Sequence, residues 1–176
     1  MITYIKKFID QVQLRRNSIA HARKLGVKIG DDCKLIAMTG GTFGTEPYLV
    51  KLGNHVEISF NVRFITHDGG IWVGRKRYPD LDVIDKIIVG DNVFIGACSI
   101  LLPGTNIGDN CVIGAGSLVR GDVPDGSVYA GIPAKYVKST EDYISGCAKK
   151  GINTKQMSPP EKKKYLFEHD YFPEGQ

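Results

Sequence analysis

A six-residue repeat between Val89 and Pro124 constrains the fold more than any other feature of the chain. The stretch reads as six successive units, and every unit starts with Val, Ile or Leu. The fifth residue of each unit is small, and these residues are Val93, Ser99, Thr105, Cys111, Ser117 and Val123. A fixed short period of this kind indicates stacked structural units rather than a globule of distinct elements.

The length of the period also selects the backbone conformation. An α-helix has about 3.6 residues per turn, so aliphatic residues six apart would rotate around its surface. A strand repeats every second residue, so positions six apart return to the same face. Gly, Asp and Asn recur within the units, and these residues are unfavourable inside helices but common in turns. The period therefore predicts a β-solenoid of short strands and tight turns, with the aliphatic and small residues inside.

The repeat motifs and the exit from the repeat resemble a known family. The motifs are Ile95-Gly-Ala, Ile107-Gly-Asp-Asn and Ile113-Gly-Ala-Gly-Ser, and the exit is Gly131-Ile-Pro-Ala-Lys135. Over residues 29–137 the chain resembles the hexapeptide-repeat acyltransferases, above all the sugar and capsule-type O-acetyltransferases. The resemblance implies an all-β fold, the left-handed parallel β-helix, in a homotrimer with active sites between subunits. Left-handed crossovers are an exception to the usual right-handed rule.

Composition and charge limit the class of protein. The 176 residues predict one domain, and 42% hydrophobic and 24% charged residues are ordinary for a soluble protein. A net charge of +4 is too small and scattered to indicate nucleic-acid binding. No apolar run approaches the roughly 20 residues that span a bilayer, and charged residues interrupt the N-terminus, which argues against a secretory signal. The four cysteines form no Cys-x-x-Cys pair, which favours a cytoplasmic protein without disulfides.

Both ends of the chain predict helices. Residues 3–24 have an apolar face and basic residues elsewhere, and we expect residues 1–25 to cap the open end of the solenoid. The alternative is a basic amphipathic helix that lies on a membrane surface. In the C-terminal extension, residues 138–176, we expect one helix over 140–149. A second is expected to begin after Ser158, with Pro159 at its first position and Glu161 completing a capping box.

The repeat is interrupted between residues 67 and 88. Loops of this length are uncommon inside a compact domain and are usually functional or disordered. This insertion contains the only tryptophan of the chain, Trp72, and a basic triplet, Arg75–Arg77. We therefore expect it to bind the substrate, with Trp72 and Asp85 as candidate contacts.

His67 ends a repeat where the insertion begins, in the stretch Phe64-Ile-Thr-His-Asp-Gly-Gly70. That stretch resembles the capsule-type members of the family. The sugar and antibiotic O-acetyltransferases of the family place a histidine at the start of such an insertion, as the general base. The resemblance therefore implies a catalytic role for His67.

In acetyl transfer from a thioester to an alcohol, a single histidine can act as the general base. The thioester is already activated, so the enzyme needs a base that removes the hydroxyl proton during attack. A carboxylate bonded to the other imidazole nitrogen would fix the tautomer. Glu46, Asp68 and Asp85 are candidates for this role. Glu46 is favoured because the stretch 44–49 also resembles the family and lies about one coil before His67.

The family resemblance implies acetyl-CoA as the co-substrate. We expect its pantetheine arm to follow the late coils, where small residues leave the backbone accessible. The cations expected at its phosphates are Arg120 and Lys135, and Pro133 lies in the motif that binds the adenosine end in relatives. The residues that we predict to bind the coenzyme are Gly96, Ala97, Gly114, Ala115, Arg120, Pro133 and Lys135.

Other readings of the same fold remain open. A metal-dependent protein of the carbonic anhydrase type needs three protein ligands, whereas His55 and His67 have no third histidine nearby, so we expect no metal. A non-catalytic scaffold would not explain the insertion at His67. We expect the acceptor to be a hydroxyl of a sugar or polysaccharide precursor, and the alternatives are a xenobiotic (antibiotic) or serine, because fold does not determine substrate.

Overall fold

The computed structural model describes residues 17–169, whose strands form three sheets that are parallel except for one antiparallel pair at the C-terminal edge of the second sheet. Each complete coil contributes one short strand to each sheet. The strands are β1 (Lys28–Ile29), β2 (Lys34–Leu35), β3 (Val50–Leu52), β4 (Val56–Ile58), β5 (Arg63–Phe64), β6 (Ile87–Val89), β7 (Val93–Ile95), β8 (Ile100–Leu101), β9 (Asn106–Ile107), β10 (Val112–Ile113), β11 (Leu118–Val119), β12 (Asp122–Val123), β13 (Ser127–Gly131) and β14 (Ala134–Ser139). The first sheet has the order β1-β3-β6-β9-β12, the second β14-β13-β10-β7-β4-β2 and the third β11-β8-β5. The fold is the predicted left-handed parallel β-helix.

The interior is filled by the two repeat positions that the sequence predicts. The first residue of every unit from Val89 to Val119 is at most 1% exposed. The fifth residues, from Val93 to Val123, are at most 3% exposed. Ser99, Thr105 and Ser117 place hydroxyl groups among them, and each hydroxyl donates to a backbone carbonyl. The aliphatic side chains thus form one continuous core along the solenoid, and these three buried hydroxyl groups are satisfied.

The corners depend on the fourth residue of the first five units, which adopts a left-handed conformation. The values of φ are 55° at Asn92, 60° at Cys98, 78° at Gly104, 56° at Asn110 and 69° at Gly116. Asn and Gly tolerate positive φ better than other residues, which explains why they recur at this position.

A ladder of side chains joins one corner of successive coils. The backbone N–H of Asn54 donates to Oδ1 of Asp91 at 2.7 Å, and that of Asp91 donates to Oδ1 of Asp109 at 2.7 Å. The backbone N–H of Asp109 in turn donates to Oδ1 of Asp125 at 2.8 Å. Each carboxylate satisfies a corner N–H that the sheets leave unpaired, so the stack is locked in register.

The chain divides into two compact units, Met1–Tyr143 and Ile144–Gln176. In the first unit, helix α1 (Ser18–Lys24) packs near the start of the solenoid, with Ala22 fully buried. The Arg23 guanidinium donates to the carbonyls of Ile29 and Gly30 at 2.9 Å. The rest of the predicted capping helix, residues 3–16, lies outside the described residues.

The insertion is two residues shorter than predicted at its C-terminal end. The sequence places its end at residue 88, but strand β6 already begins at Ile87, which pairs with Val50 of β3. Within the insertion a 3₁₀ helix spans Gly69–Gly74. His67 and Ile84 form an antiparallel bridge that closes the base of the loop.

The solenoid ends in an antiparallel hairpin. Strands β13 and β14 pair across the motif Gly131-Ile-Pro-Ala134, in which the Ile132–Pro133 peptide bond is cis. Helix α2 (Thr140–Lys150) follows at the predicted place, one residue longer than expected, and Thr140 Oγ1 donates to the Asn110 carbonyl.

In the second unit, helix α3 (Pro159–Glu168) starts as predicted after Ser158. The backbone N–H of Ser158 donates to the Glu161 carboxylate at 2.8 Å, so the predicted capping box forms. Across residues 17–169 the longest helices are too short and too polar to cross a bilayer.

Candidate active site

An irregular segment, residues 39–46, carries Glu46 to the start of the insertion. The Phe43 ring packs on Phe64, with 5.0 Å between the ring centroids, and both side chains are buried. The Phe64 N–H donates to the Thr42 carbonyl at 2.8 Å. These contacts attach the segment to strand β5 just before His67. As a result, two residues 21 positions apart in the sequence meet at one corner of the solenoid.

Glu46 and His67 form a hydrogen-bonded pair. Oε2 of Glu46 lies 3.1 Å from Nδ1 of His67. The Glu46 side chain is 18% exposed and that of His67 is 44% exposed. The carboxylate is therefore sheltered while the imidazole reaches solvent. Of the three candidate carboxylates, Glu46 is the one that contacts the His67 ring.

Two hydroxyl groups complete the surroundings of the carboxylate. Thr45 Oγ1 donates to Oε1 of Glu46 at 2.6 Å, and Thr66 Oγ1 donates to Oε2 at 2.6 Å. Thr45 Oγ1 also lies 3.2 Å from Nδ1 of His67. Neither threonine was predicted from the sequence as a site residue. The only available signal was that one immediately precedes Glu46 and the other immediately precedes His67.

The hydrogen bonds determine the ionisation of Glu46. Donation from Thr45 has the largest effect, followed by donation from Thr66, and the contact with His67 adds to both. Together they outweigh partial burial and lower the pKa of the Glu46 carboxyl from 4.5 to about 2. Glu46 is therefore an ionised carboxylate at neutral pH.

An ionised Glu46 assigns the tautomer of His67. A carboxylate only accepts hydrogen bonds, so the proton of the contact belongs to Nδ1. The Thr45 hydroxyl already donates to Glu46, so it presents a lone pair to the same Nδ1–H. Within the described residues, Nε2 of His67 has no hydrogen-bond partner. It is thus an exposed nitrogen with a free lone pair, which is the form that a general base requires.

The other candidates in the insertion, Asp68 and Asp85, are held near this pair by backbone hydrogen bonds. Asp68 donates its N–H to Val83, and its carboxylate accepts from Gly70 N–H at 2.8 Å. Asp85 donates its N–H to the Thr66 carbonyl at 2.9 Å. Trp72 lies in the 3₁₀ helix and is 77% exposed. Neither aspartate contacts the His67 ring.

The residues that we predict to bind the coenzyme lie on the late coils and the hairpin. Gly96 is buried, and a Cβ there would overlap the backbone nitrogen of Ala115 in the next coil. At Gly114, a Cβ would lie 2.8 Å from Cβ of Ala130. The small size of both glycines is therefore required by the stacking of coils. Ala97 is half-buried.

The predicted cations at the coenzyme phosphates have exposed side chains. Arg120 follows β11, and Lys135 lies on β14, next to the exposed Pro133. Neither Arg120 nor Lys135 forms an ion pair with another residue between 17 and 169. Both are available to an anionic ligand.

His55, the other histidine considered as a metal ligand, belongs to a corner of the solenoid. His55 Nδ1 lies 2.8 Å from Oδ1 of Asn92, and the His55 side chain is 64% exposed. Among the described residues there is no group of three or more His, Cys, Asp or Glu side chains that could hold a metal ion.

Comparison with known proteins gives consistent results for the repeat. Residues 86–121 match the family described as bacterial transferase hexapeptide (six repeats). Protein CapG of Staphylococcus aureus is 48% identical over 162 residues, which cover 92% of this chain and 94% of that protein. A galactoside O-acetyltransferase of Escherichia coli (strain K12) is 34% identical over 97 residues, or 55% of this chain and 47% of that enzyme. The chain thus spans about half the length of the latter relative.

A solved structure supports the fold. The hexapeptide-repeat containing acetyltransferase of Vibrio cholerae superposes with a TM-score of 0.52 at 21% identity, over 69% of this chain and 78% of that one. The repeat, the β-helix and a relative that is similar over almost its whole length all agree. The chain belongs to the hexapeptide-repeat acyltransferase family.

Proposed function

We propose that the protein transfers an acetyl group from acetyl-CoA to a hydroxyl of a sugar or polysaccharide precursor. The observation that carries the proposal is the pair of Glu46 and His67, with Nδ1–H bonded to the carboxylate and Nε2 exposed. A structural scaffold does not require a histidine whose Nδ1–H is bonded to a carboxylate while Nε2 stays unbonded. The acetyltransferase among the similar proteins that acts on a galactoside supports a saccharide acceptor.

The proposed reaction needs one base and one charge partner. His67 Nε2 removes the proton of the acceptor hydroxyl as its oxygen attacks the acetyl carbonyl carbon. The C–S bond then breaks, and the imidazolium returns the proton to the departing sulfur. Glu46, ionised throughout, stabilises the imidazolium that forms between the two steps. No covalent enzyme intermediate is required.

The proposal also assigns roles to the surrounding surface. Trp72 offers an exposed ring on which the apolar face of a sugar stacks, and Asp85 supplies an acceptor for sugar hydroxyls. Arg120 and Lys135 meet the coenzyme phosphates, with Ala97, Ala115 and the motif around Pro133 along its path. Acetyl-CoA supplies the activated acyl group.

The assembly and location are part of the proposal. We expect a homotrimer, because the exposed pair of Glu46 and His67 needs further walls to exclude water from a reacting thioester. The four cysteines are unpaired, which fits a reducing cytoplasm.

An acetylation assay tests the proposal. The protein is incubated with acetyl-CoA and a panel of galactosides, amino sugars, nucleotide sugars, serine and chloramphenicol, and the products are identified by mass spectrometry. We expect O-acetylation of a saccharide. His67→Ala should lower kcat by roughly 10²- to 10⁴-fold, as expected for loss of a general base, with the assembly intact.

The matched control is His55→Ala, which removes an exposed histidine from a corner of the solenoid. It should leave kcat close to that of the parent. A His67→Ala protein that retains normal kcat would refute the assignment of the base. Acetylation of serine or chloramphenicol alone would refute the acceptor class and leave the base in place.

A further inference from the structure

Two threonine hydroxyls contact the pair formed by Glu46 and His67. Each ionisable partner is preceded in sequence by a threonine, and both threonines donate to the same carboxylate at 2.6 Å, Thr45 to Oε1 and Thr66 to Oε2. Thr66 is fully buried, whereas Thr45 is exposed. Neither contact is needed for the repeat, because Thr45 lies in an irregular segment and Thr66 follows strand β5.

The donors divide between the two carboxylate oxygens. Oε1 accepts from Thr45, and Oε2 accepts from both Thr66 and Nδ1–H of His67. With both oxygens occupied, rotation of the carboxylate about its last bond would break at least one short hydrogen bond to a charged group. Such bonds are about twice as strong as neutral ones. The orientation of Glu46 is therefore fixed before any substrate binds.

Thr45 makes a second contact that Thr66 does not. Because its proton points to Oε1, its oxygen offers a lone pair to Nδ1–H of His67, 3.2 Å away. The Nδ1–H group thus faces two acceptors, Oε2 of Glu46 and Oγ1 of Thr45. Both favour the tautomer with the proton on Nδ1.

We propose that Thr45 and Thr66 are positioning residues that orient the Glu46 carboxylate and thereby hold His67 in the Nδ1–H tautomer, with Nε2 free to act as a base. The catalytic part of this inference rests on the proposed function. The tautomeric part concerns the protein without substrate. Neither threonine touches the reacting atoms, so each acts through Glu46 and His67.

Removal of either hydroxyl has a defined chemical consequence. The carboxylate gains freedom to rotate, and the fraction of His67 with its proton on Nε2 increases. Molecules with the proton on Nε2 have no free lone pair on that nitrogen, so they cannot accept a proton from the acceptor hydroxyl. The loss therefore falls on kcat, whereas KM for acetyl-CoA does not change.

Thr45→Val and Thr66→Val remove each hydroxyl and keep the shape of the side chain. We expect each to lower kcat roughly 10- to 100-fold, the effect of losing one hydrogen bond to a charged group. Thr45→Ser and Thr66→Ser retain the hydroxyl and should restore kcat to within about threefold of the parent. The matched controls are Thr39→Val, exposed in the same segment, and Thr105→Val, buried elsewhere in the core. Both should leave kcat unchanged.

The second measurement is independent of activity. In protein labelled with ¹⁵N-histidine, the nitrogen shifts and long-range couplings of the imidazole ring report its tautomer. The His67 signals are identified by their loss in His67→Gln. We expect the Nδ1–H tautomer in the parent protein and in the serine variants, and a mixture with the Nε2–H form in the Thr45→Val/Thr66→Val double variant.

The outcomes separate the inference from the proposed function. Retention of the Nδ1–H tautomer and of kcat in the double valine variant would overturn the inference. If Thr66→Val fails to fold, the exposed Thr45→Val variant and its serine counterpart decide the question alone. If the parent acetylates no acceptor, the proposed function fails, and the tautomer measurements still test the positioning role.

Discussion

At the scale of single residues, the ionisation of Glu46 links the candidate site to the stability of the fold. Its folded-state pKa of about 2 lies below the ordinary value of 4.5, because Thr45, Thr66 and His67 donate to the carboxylate. A group whose pKa is lowered on folding contributes stability above its unfolded pKa. That contribution is lost as the pH falls through the folded pKa. The relevant window is therefore pH 4.5 to about 2.

Glu46→Gln should remove this pH dependence. Above pH 5 the parent should be more stable than the variant by up to about 3 kcal/mol, and the two free energies of unfolding should converge as the pH falls to about 2. Urea denaturation at a series of pH values measures this difference. The control is Glu57→Gln, which removes a partly exposed carboxylate 3.8 Å from Lys34 on the outer surface. A constant difference between parent and Glu46→Gln across the window would contradict the assigned pKa.

The sequence could predict His67 and three candidate carboxylates, but it favoured Glu46 among them only through the family resemblance of residues 44–49. His67 was identified through the resemblance of its surrounding motif, and Glu46, Asp68 and Asp85 were equally available as partners by residue type. The choice depends on the path of residues 39–46, which is determined by the contact of Phe43 with Phe64. A long-range contact of this kind has no periodic signal in the sequence.

At the scale of the elements, the coils stack so closely that some glycines have no room for a side chain. Gly96 donates its N–H to the Ile113 carbonyl at 2.8 Å, and its Cα faces the backbone of Ala115. Gly96→Ala would force these two coils apart. We expect it to lower the free energy of unfolding by roughly 1–3 kcal/mol, the usual cost of overpacking.

Gly40→Ala is the matched control for this substitution. Gly40 is exposed, and a Cβ there would have no heavy atom within 4 Å. The variant should be neutral or slightly more stable, because alanine restricts the unfolded chain. Urea denaturation of both variants measures the difference. Equal stability of Gly96→Ala and Gly40→Ala would show that the coils adjust without cost.

The coenzyme prediction depends on the late coils and on the hairpin of β13 and β14. Arg120→Ala and Lys135→Ala should each raise KM for acetyl-CoA with little change in kcat, because the phosphates lie far from the thioester. The effect should weaken as ionic strength rises, since exposed charges are screened. Acetyl-dephospho-CoA should show a smaller penalty in whichever variant has lost the cation that meets the 3′-phosphate.

The control for the two cations is Lys28→Ala, an exposed lysine on β1 at the first coil. It should leave KM unchanged. Unchanged KM at low salt in both test variants would move the phosphate site elsewhere on the surface. Lys138, also on β14, would then be the next cation to replace.

At the scale of the whole molecule, the solenoid was predictable because its signal repeats. The same residue types recur at the first and fifth positions of all six units. Because the pattern is repeated six times, it excludes most other backbone conformations. The helix after Ser158 carried a local signal, the capping box with Glu161, and the structure confirms both. The order of strands in each sheet then follows from the stacking of coils. The handedness does not follow from the repeat, and it was predicted through the family resemblance.

The predicted homotrimer belongs to this scale, and the surface of one chain gives it a physical reason. Each sheet turns a row of side chains outward, and these rows include Phe94 and Ile100, which are 40% and 38% exposed. In the insertion, Trp72 is 77% and Val73 92% exposed. Exposed aromatic side chains are enriched in protein–protein interfaces. A closed ring of three subunits would cover such side chains without leaving an open edge.

Light scattering of the purified protein should therefore give a mass three times the 19.3 kDa of one chain. Val73→Ser removes apolar area from the insertion and should raise the concentration at which the assembly dissociates. Lys76→Ser, a change at another exposed position in the same loop, should not. Specific activity should fall on dilution together with the mass, because the walls that exclude water from the pair of Glu46 and His67 would come from a neighbouring subunit. A monodisperse monomer with full acetyltransferase activity would contradict this prediction and would mean that one chain completes its own site.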